Sequence, residues 1–111
     1  MAPEGFLAVI QGTLDVIVLK ALSLGPVHAW GIGARITELS GGTFQLGQGS
    51  LYPAVHRFES RGWVASYWRT TDNNRIARYY ELTTAGRHAL HDETERWRRY
   101  TAAMDRVIEA R

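Results

Sequence analysis

The stretch from Gln48 to Gly62, QGSLYPAVHRFESRG, follows one glycine, holds a second near its start and a proline inside, and ends on a third glycine. That punctuation leaves few ways for it to fold. Ser50 is a good helix N-cap, its hydroxyl able to accept a bond from an orphan backbone N–H. Pro53 then falls in the first turn, where N–H groups lack intrahelical partners and a proline costs little. Gly62 suits the C′ position that closes a helix. At 3.6 residues per turn, Leu51, Val55, Phe58 and Gly62 share an inward face. Tyr52, Pro53, His56, Arg57 and Ser60 share the opposite face, with Glu59 at its margin. A short helix with an apolar back and such a front suits a DNA major groove. On this segment alone, an ordinary amphipathic surface helix is the stronger reading.

Composition narrows the setting. A chain of 111 residues makes one domain with one core. The absence of cysteine removes disulfides and Cys-based zinc sites, and agrees with a reducing compartment. The longest apolar run is far short of a membrane span, and no Lys or Arg precedes Lys20 to form a secretory n-region. The expectation is a cytoplasmic protein with no membrane partner. The net charge of +2 is unevenly placed. Residues 48–87 hold Arg57, Arg61, Arg69, Arg75, Arg78 and Arg87 against Glu59, Asp72 and Glu81, whereas the flanking segments are near balance. The positive excess thus sits on the helix described above and its successor, as a polyanion-binding surface requires.

In chain order, Phe6–Ile10 is an apolar arm that needs a cover. Thr13 is placed to cap a helix running to about Leu24, apolar on nearly every side, for which a second subunit is the expected cover. Gly25-Pro26 stops it. A second helix is predicted from about His28 to Ser40, with Ile32, Ile36 and Leu39 inward, and Phe44 and Leu46 allow a very short strand. With the Ser50–Arg61 helix this makes a helix-turn-helix candidate. Trp63–Arg69 and Ala77–Leu82 favour strand around the turn cluster 70–74, a hairpin with Arg69, Asn73, Asn74, Arg75 and Arg78 at or near its tip. Behind a helix-turn-helix such a hairpin is a wing, able to touch phosphates or enter a minor groove.

Thr83 is placed to cap a last helix from Thr84 to about Ala110, at ~1.5 Å per residue roughly 40 Å long and too long for this core to cover. Leu90, Trp97 and Met104 recur every seven residues, with Tyr100, Thr101, Val107 and Ile108 widening the stripe. Asp92/Arg96 and Glu95/Arg99 are i,i+4 pairs on the polar side. This is the pattern of a dimerisation helix. The fold class expected is mainly α with a small β-hairpin: a winged helix-turn-helix over residues 1–82, arm included, and a dimerisation helix over 83–111, forming one compact unit.

Gly12-Thr13-Leu14-Asp15, Gly49-Ser50-Leu51-Tyr52-Pro53-Ala54-Val55-His56-Arg57-Phe58-Glu59 with Gly62, and Arg78-Tyr79-Tyr80-Glu81-Leu82-Thr83 with Gly86 resemble the PadR family of bacterial transcriptional regulators. The resemblance covers roughly Gly12 to the end, and the single terminal helix is similar to that of the short subfamily. Ala29-Trp30 stands where Gly-Tyr is usual, and Phe58 replaces the common leucine. The resemblance implies a homodimer on a palindromic double-stranded DNA operator, usually a repressor and not an enzyme. It places Ser50, Tyr52, Pro53 and His56 on the recognition helix and the Asn73–Arg78 region on the wing. Some short members bind planar aromatic drugs between two tryptophans at the dimer centre, and Trp97 falls at a comparable place. A small aromatic ligand is thereby implied as a further partner, with no cofactor.

Rival readings are fewer. No serine or carboxylate pair has a spaced partner that would make a nucleophile, and no phosphate-cradling glycine loop is present. His88, His91 and Glu95 share one side of the terminal helix and raise a metal-responsive regulator as an alternative. That side lies opposite the Leu90/Trp97/Met104 seam and faces water, where histidines are ordinary polar surface. A winged helix used only for protein contacts is the other alternative.

Overall fold

The computed structural model describes Val9 and residues 12–111; the apolar arm, apart from Val9, lies outside the described residues. The first helix, α1 (Leu14–Ser23), buries Val18, Leu19, Ala21 and Leu22. Thr13 holds the N-cap position, but its side chain makes no capping hydrogen bond. α1 packs against elements of its own chain on several sides, so most of its all-round apolar character is satisfied within the subunit. At its C-terminal end, Arg35 Nη1 donates to the carbonyls of Ala21 (2.9 Å) and Gly25 (2.8 Å). A guanidinium of the second helix thereby ties down the end of α1 and the turn that follows it.

The second helix opens at His28 as expected, but an unforeseen strand precedes it. Val27 and His28 form a short strand, β1, and helix α2 spans Ala29–Leu39. His28 is the N-cap: its Nδ1 accepts the Gly31 N–H at 3.0 Å. An added Cβ on Gly31 would stand 2.5 Å from Val27 Cγ2, so a larger residue there must displace the Val27 or His28 side chain. Ile32 and Ile36 are buried as expected, but Leu39 is 56% exposed, because the chain turns away at Gly41-Gly42 before anything covers it. Phe44 and Leu46 form no strand. Phe44's N–H donates to Ser40 Oγ and its carbonyl accepts from Thr37 Oγ1, so side chains of α2 take the place of a ladder partner.

Helix α3 spans Gln48–Ser60, and its N-cap is Gly47 rather than Ser50, which lies inside the first turn. Pro53 consequently lies in the second turn and deprives the Gly49 carbonyl of its intrahelical donor. Leu51, Ala54, Val55 and Phe58 are buried. The C-terminal end is as expected: Gly62 has φ +77°, its N–H reaches Glu59 O, and Trp63 N–H reaches Phe58 O at 2.9 Å. The Phe58 and Trp63 rings touch across this turn, completing a Schellman motif.

Strands β2 (Val64–Thr70) and β3 (Ile76–Leu82) form the hairpin, and β1 adds to β3's other edge, for a sheet order β1-β3-β2. Register pairs Val64 with Leu82, Ser66 with Tyr80, Trp68 with Arg78 and Thr70 with Ile76. The tip turns through Asn74, at φ +60°. Helix α4 spans Thr84–Ile108, and Thr83 caps it by accepting the Gly86 N–H. The same Thr83 hydroxyl donates to Gly62 O, and Thr83 N–H donates to Trp63 O. A Cβ on Gly86 would stand 2.0 Å from Trp63 O. The start of α4 is therefore pressed onto the turn that ends α3. The core joins α1, α2 and α3 to the sheet, with Phe58, Leu19, Leu22, Ile32 and Leu51 its largest fully buried side chains. The distal part of α4 projects from it, and the molecule measures 59 × 34 × 20 Å.

Candidate nucleic-acid interface

The front of α3 is built by the burial of its back. With Leu51, Ala54, Val55 and Phe58 in the core, the helix phase leaves Tyr52, Pro53, His56 and Ser60 in solvent. The Tyr52 and His56 rings stack at 5.9 Å with an interplanar angle of 21°, one turn apart along that face. Ser50 is exposed as well, at the edge nearer α1.

Arg57 does not belong to this open face. Its Nη2 lies 2.5 Å from Asp15 Oδ1, so it ties α3 to α1. Arg78 is also engaged within the fold. Its Nη2 lies 3.0 Å from Glu59 Oε2, and its Nε and Nη2 donate to Ser66 Oγ at 2.9 and 2.7 Å. The Ser66 hydroxyl donates in turn to Glu59 Oε2. That hydroxyl bond, aided by the Arg78 charge and opposed by partial burial, holds the Glu59 carboxyl below the ordinary glutamate range. Arg57, expected on the open face by helical phase, and Arg78, expected near the wing tip, are thus each paired with a carboxylate of another element.

The wing has two unlike faces. Val64, Ser66, Trp68 and Thr70 of β2 share a face with Ile76, Arg78, Tyr80 and Leu82 of β3, the face turned to α3 and the core. The opposite face holds a stack that sequence reasoning missed. Tyr67 and Tyr79 stack at 6.3 Å, His28 meets Tyr79 edge-on, and Trp30 lies on His28 at 3.7 Å. Arg69 sits over the Tyr79 ring at 4.4 Å on this side. The signal was present in the alternation of β3, but β1, which brings His28 beside Tyr79, was not foreseen. Burial, and to a smaller extent the nearby Arg35 charge, pushes the His28 pKa below its usual value. At the tip, Asn73, Asn74 and Arg75 are exposed, and Arg75 forms no ion pair among the described residues.

On α4, Trp97 is 37% exposed and stacks on Tyr100 at 5.8 Å, with Tyr100 and Met104 exposed beyond it. Thr101 is half-buried and its hydroxyl donates to Arg98 O. Trp97 borders two shallow grooves, one shared with Val16 and Tyr100, the other with Val16, Ile36, Leu39 and Phe44. The expected i,i+4 ion pairs are replaced by i,i+3 pairs, Glu93–Arg96 and Glu95–Arg98. His88 and His91 are exposed, and among the described residues no group of three or more His, Asp or Glu comes together to hold a metal ion. No described helix is long and apolar enough to cross a membrane.

A helix-turn-helix pair, α2 and α3, followed by a hairpin that braces the second helix, defines a winged helix-turn-helix protein. The model of the transcriptional regulator PadR-like family matches residues 18–92, and the chain belongs to that family. It is therefore a DNA-binding transcriptional regulator rather than an enzyme. Among solved structures, a transcriptional regulator from Clostridium thermocellum superposes with a TM-score of 0.80 at 23% identity, covering 90% of this chain and 97% of that one. A PadR family regulator from Eggerthella lenta gives 0.76 at 25% identity over 91% and 86% of the two chains. Among relatives, a transcriptional regulator of Mycobacterium tuberculosis is 42% identical over 62 residues, 55% of this chain and 57% of its own. An uncharacterised 37.1 kDa protein of a Streptomyces fradiae transposon is 39% identical over 79 residues, 71% of this chain but 21% of its own length.

Proposed function

We propose that this regulator acts as a homodimeric repressor on a palindromic operator, reading bases through the front of α3. Tyr52, Pro53, His56 and Ser60 supply the major-groove surface, with Ser50 at its edge, and Asn73, Asn74 and Arg75 at the wing tip meet the DNA backbone. Arg57 and Arg78 serve by holding α3 in place, and Arg69 sits on the far side of the wing. The dimer seam is the α4 stripe of Trp97, Tyr100, Thr101 and Met104, so residues 83–111 join two DNA-reading units. The observation that carries the reading is the division of α3 into a wholly buried back and an open stacked front beside a braced hairpin. A half-exposed Trp97 stacked on Tyr100 beside an apolar groove supports a planar aromatic effector at the seam.

Selection of bound duplexes from a random DNA pool tests the proposal. The expected product is an inverted repeat whose half-site centres lie about one helical turn, ~34 Å, apart. Affinity should fall as salt rises, because Arg75 of each subunit displaces condensed counterions. A pool that yields no enriched motif, bound with no salt dependence, would sink it.

A further inference from the structure

The wing face turned toward α3 does not end at the core. Beyond Tyr80 and Leu82 it continues past the Glu59–Ser66–Arg78 strut to Trp68 and Ile76, which are 66% and 74% exposed. Trp68 pairs with Arg78 in the ladder, and Ile76 lies two residues from Arg78 on the same strand, so the two are diagonal neighbours on one face. Single apolar side chains on a surface are ordinary, but two of this size side by side on a projecting hairpin are not. Trp68 also has a partner at its ring. Arg78 is held by Glu59 of α3, and its guanidinium lies 5.9 Å from the Trp68 ring centroid. The pair thus lies along the wing between the Arg78–Glu59 link to α3 and the tip turn.

On these grounds we infer that Trp68 and Ile76 form an apolar rail that packs against the deoxyribose wall of the operator's minor groove beside each half-site. The inference rests on the reading of α3 as the base-reading helix. The occupant is duplex DNA, because the rail is continuous with the α3 front and lies between it and the basic tip at Arg75. The Glu59 carboxylate between the α3 front and the pair is already neutralised by Arg78. Apolar side chains that enter a minor groove contact sugars and base edges without displacing counterions. The rail therefore adds affinity that salt does not modulate.

The experiment titrates full-length Trp68→Ala, Ile76→Ala and Trp68→Phe against the selected operator at several salt concentrations, after circular dichroism and melting establish that each folds. Hydroxyl-radical footprints, which report deoxyribose accessibility, accompany the titrations. Each alanine variant should lose about ten-fold in affinity, as partial loss of a buried Trp or Ile contact predicts, with the salt slope unchanged. Protection should vanish from the minor groove flanking each half-site, and Trp68→Phe should restore most of both. Wild-type affinity with intact protection in the alanine variants would overturn the rail while leaving the α3 reading in place. Dissociation of the dimer by either substitution would overturn it too, by making a second copy the occupant. If the wild-type protein itself selects no motif, the α3 reading fails first, and the rail with it.

Discussion

Arg78 on the wing and Glu59 on α3 meet at 3.0 Å, with the Ser66 hydroxyl bonded to both. Both side chains keep access to water, 42% and 29% exposed, so the pair itself contributes little to stability, about 0–1 kcal/mol. Its role is geometric: it sets where the wing stands beside α3. Arg78→Ala should therefore lower operator affinity while leaving the slope of affinity against salt nearly unchanged. Arg75→Ala, at the free tip, should flatten that slope by about two, roughly one for each subunit's copy. Equal flattening by both would mean that Arg78 leaves Glu59 to engage phosphate.

Base reading and wing contact separate by a different criterion. Tyr52→Ala or His56→Ala should relax sequence preference, costing on the order of 1–3 kcal/mol on the selected operator if the side chain meets a base edge. Affinity for unrelated duplexes should change far less. Comparing each variant on operator and scrambled DNA checks this, and a uniform loss on both would remove the residue from base readout.

His28 should make stability depend on pH. Its Nδ1 accepts the Gly31 N–H that caps α2, and burial lowers its pKa below 6.5. Because the folded value is depressed, the unfolded chain takes up the proton first. The stabilisation is full above about 6.5 and is lost as pH falls through the folded value. His28→Asn keeps a capping acceptor and should remove this dependence, whereas His28→Ala should cost about 0.5–2 kcal/mol near neutrality. Urea melts between pH 5 and 8 give the comparison; an unaltered pH profile in His28→Asn would assign the dependence elsewhere.

Trp97 separates seam from effector slot. Replacing Trp30, Trp63 and Trp68 with phenylalanine isolates its fluorescence, provided that the triple variant folds. Quenching by planar aromatic dyes at micromolar concentration, together with weakened operator binding, is the outcome expected of a slot. Both readouts are needed, because a ligand shifts the DNA-binding equilibrium only if it prefers one dimer form. If no dye quenches and Trp97→Ala merely dissociates the dimer in sedimentation, Trp97 is interface core.

Features written in adjacent residues were legible before the fold was known. Gly62 at the end of α3 and Thr83 at the start of α4 are local signals, and both stand where those signals placed them. So does the hairpin, whose turn needs a left-handed residue that Asn74 supplies. Features decided by docking were not. Arg57 finds Asp15 42 positions away, and Arg78 finds Glu59 19 positions away, across packings that no local pattern encodes. His28 reads as the opening of a helix because it is one. That it also pairs with Tyr79 follows from where β3 returns. Ser50 was the better capping residue, yet Gly47 took the position, which places Gln48 at the α2–α3 contact where its Nε2 reaches Ala29 O.

The close seat of Gly86 against Trp63, with Thr83 bonded to both Gly62 and Trp63, leaves no slack between the turn that ends α3 and the helix that follows. In a dimer joined through α4, that junction turns each subunit into a rigid lever with its handle at the seam. From Trp97 at the seam back to Thr84 the helix is about 20 Å long, so a tilt of about 10° between the two handles moves its far end by about 3.4 Å. That displacement is close to the ~3.4 Å rise of one base pair. A flat molecule wedged at the seam needs to alter no contact on α3 to put the second half-site a full base step out of reach.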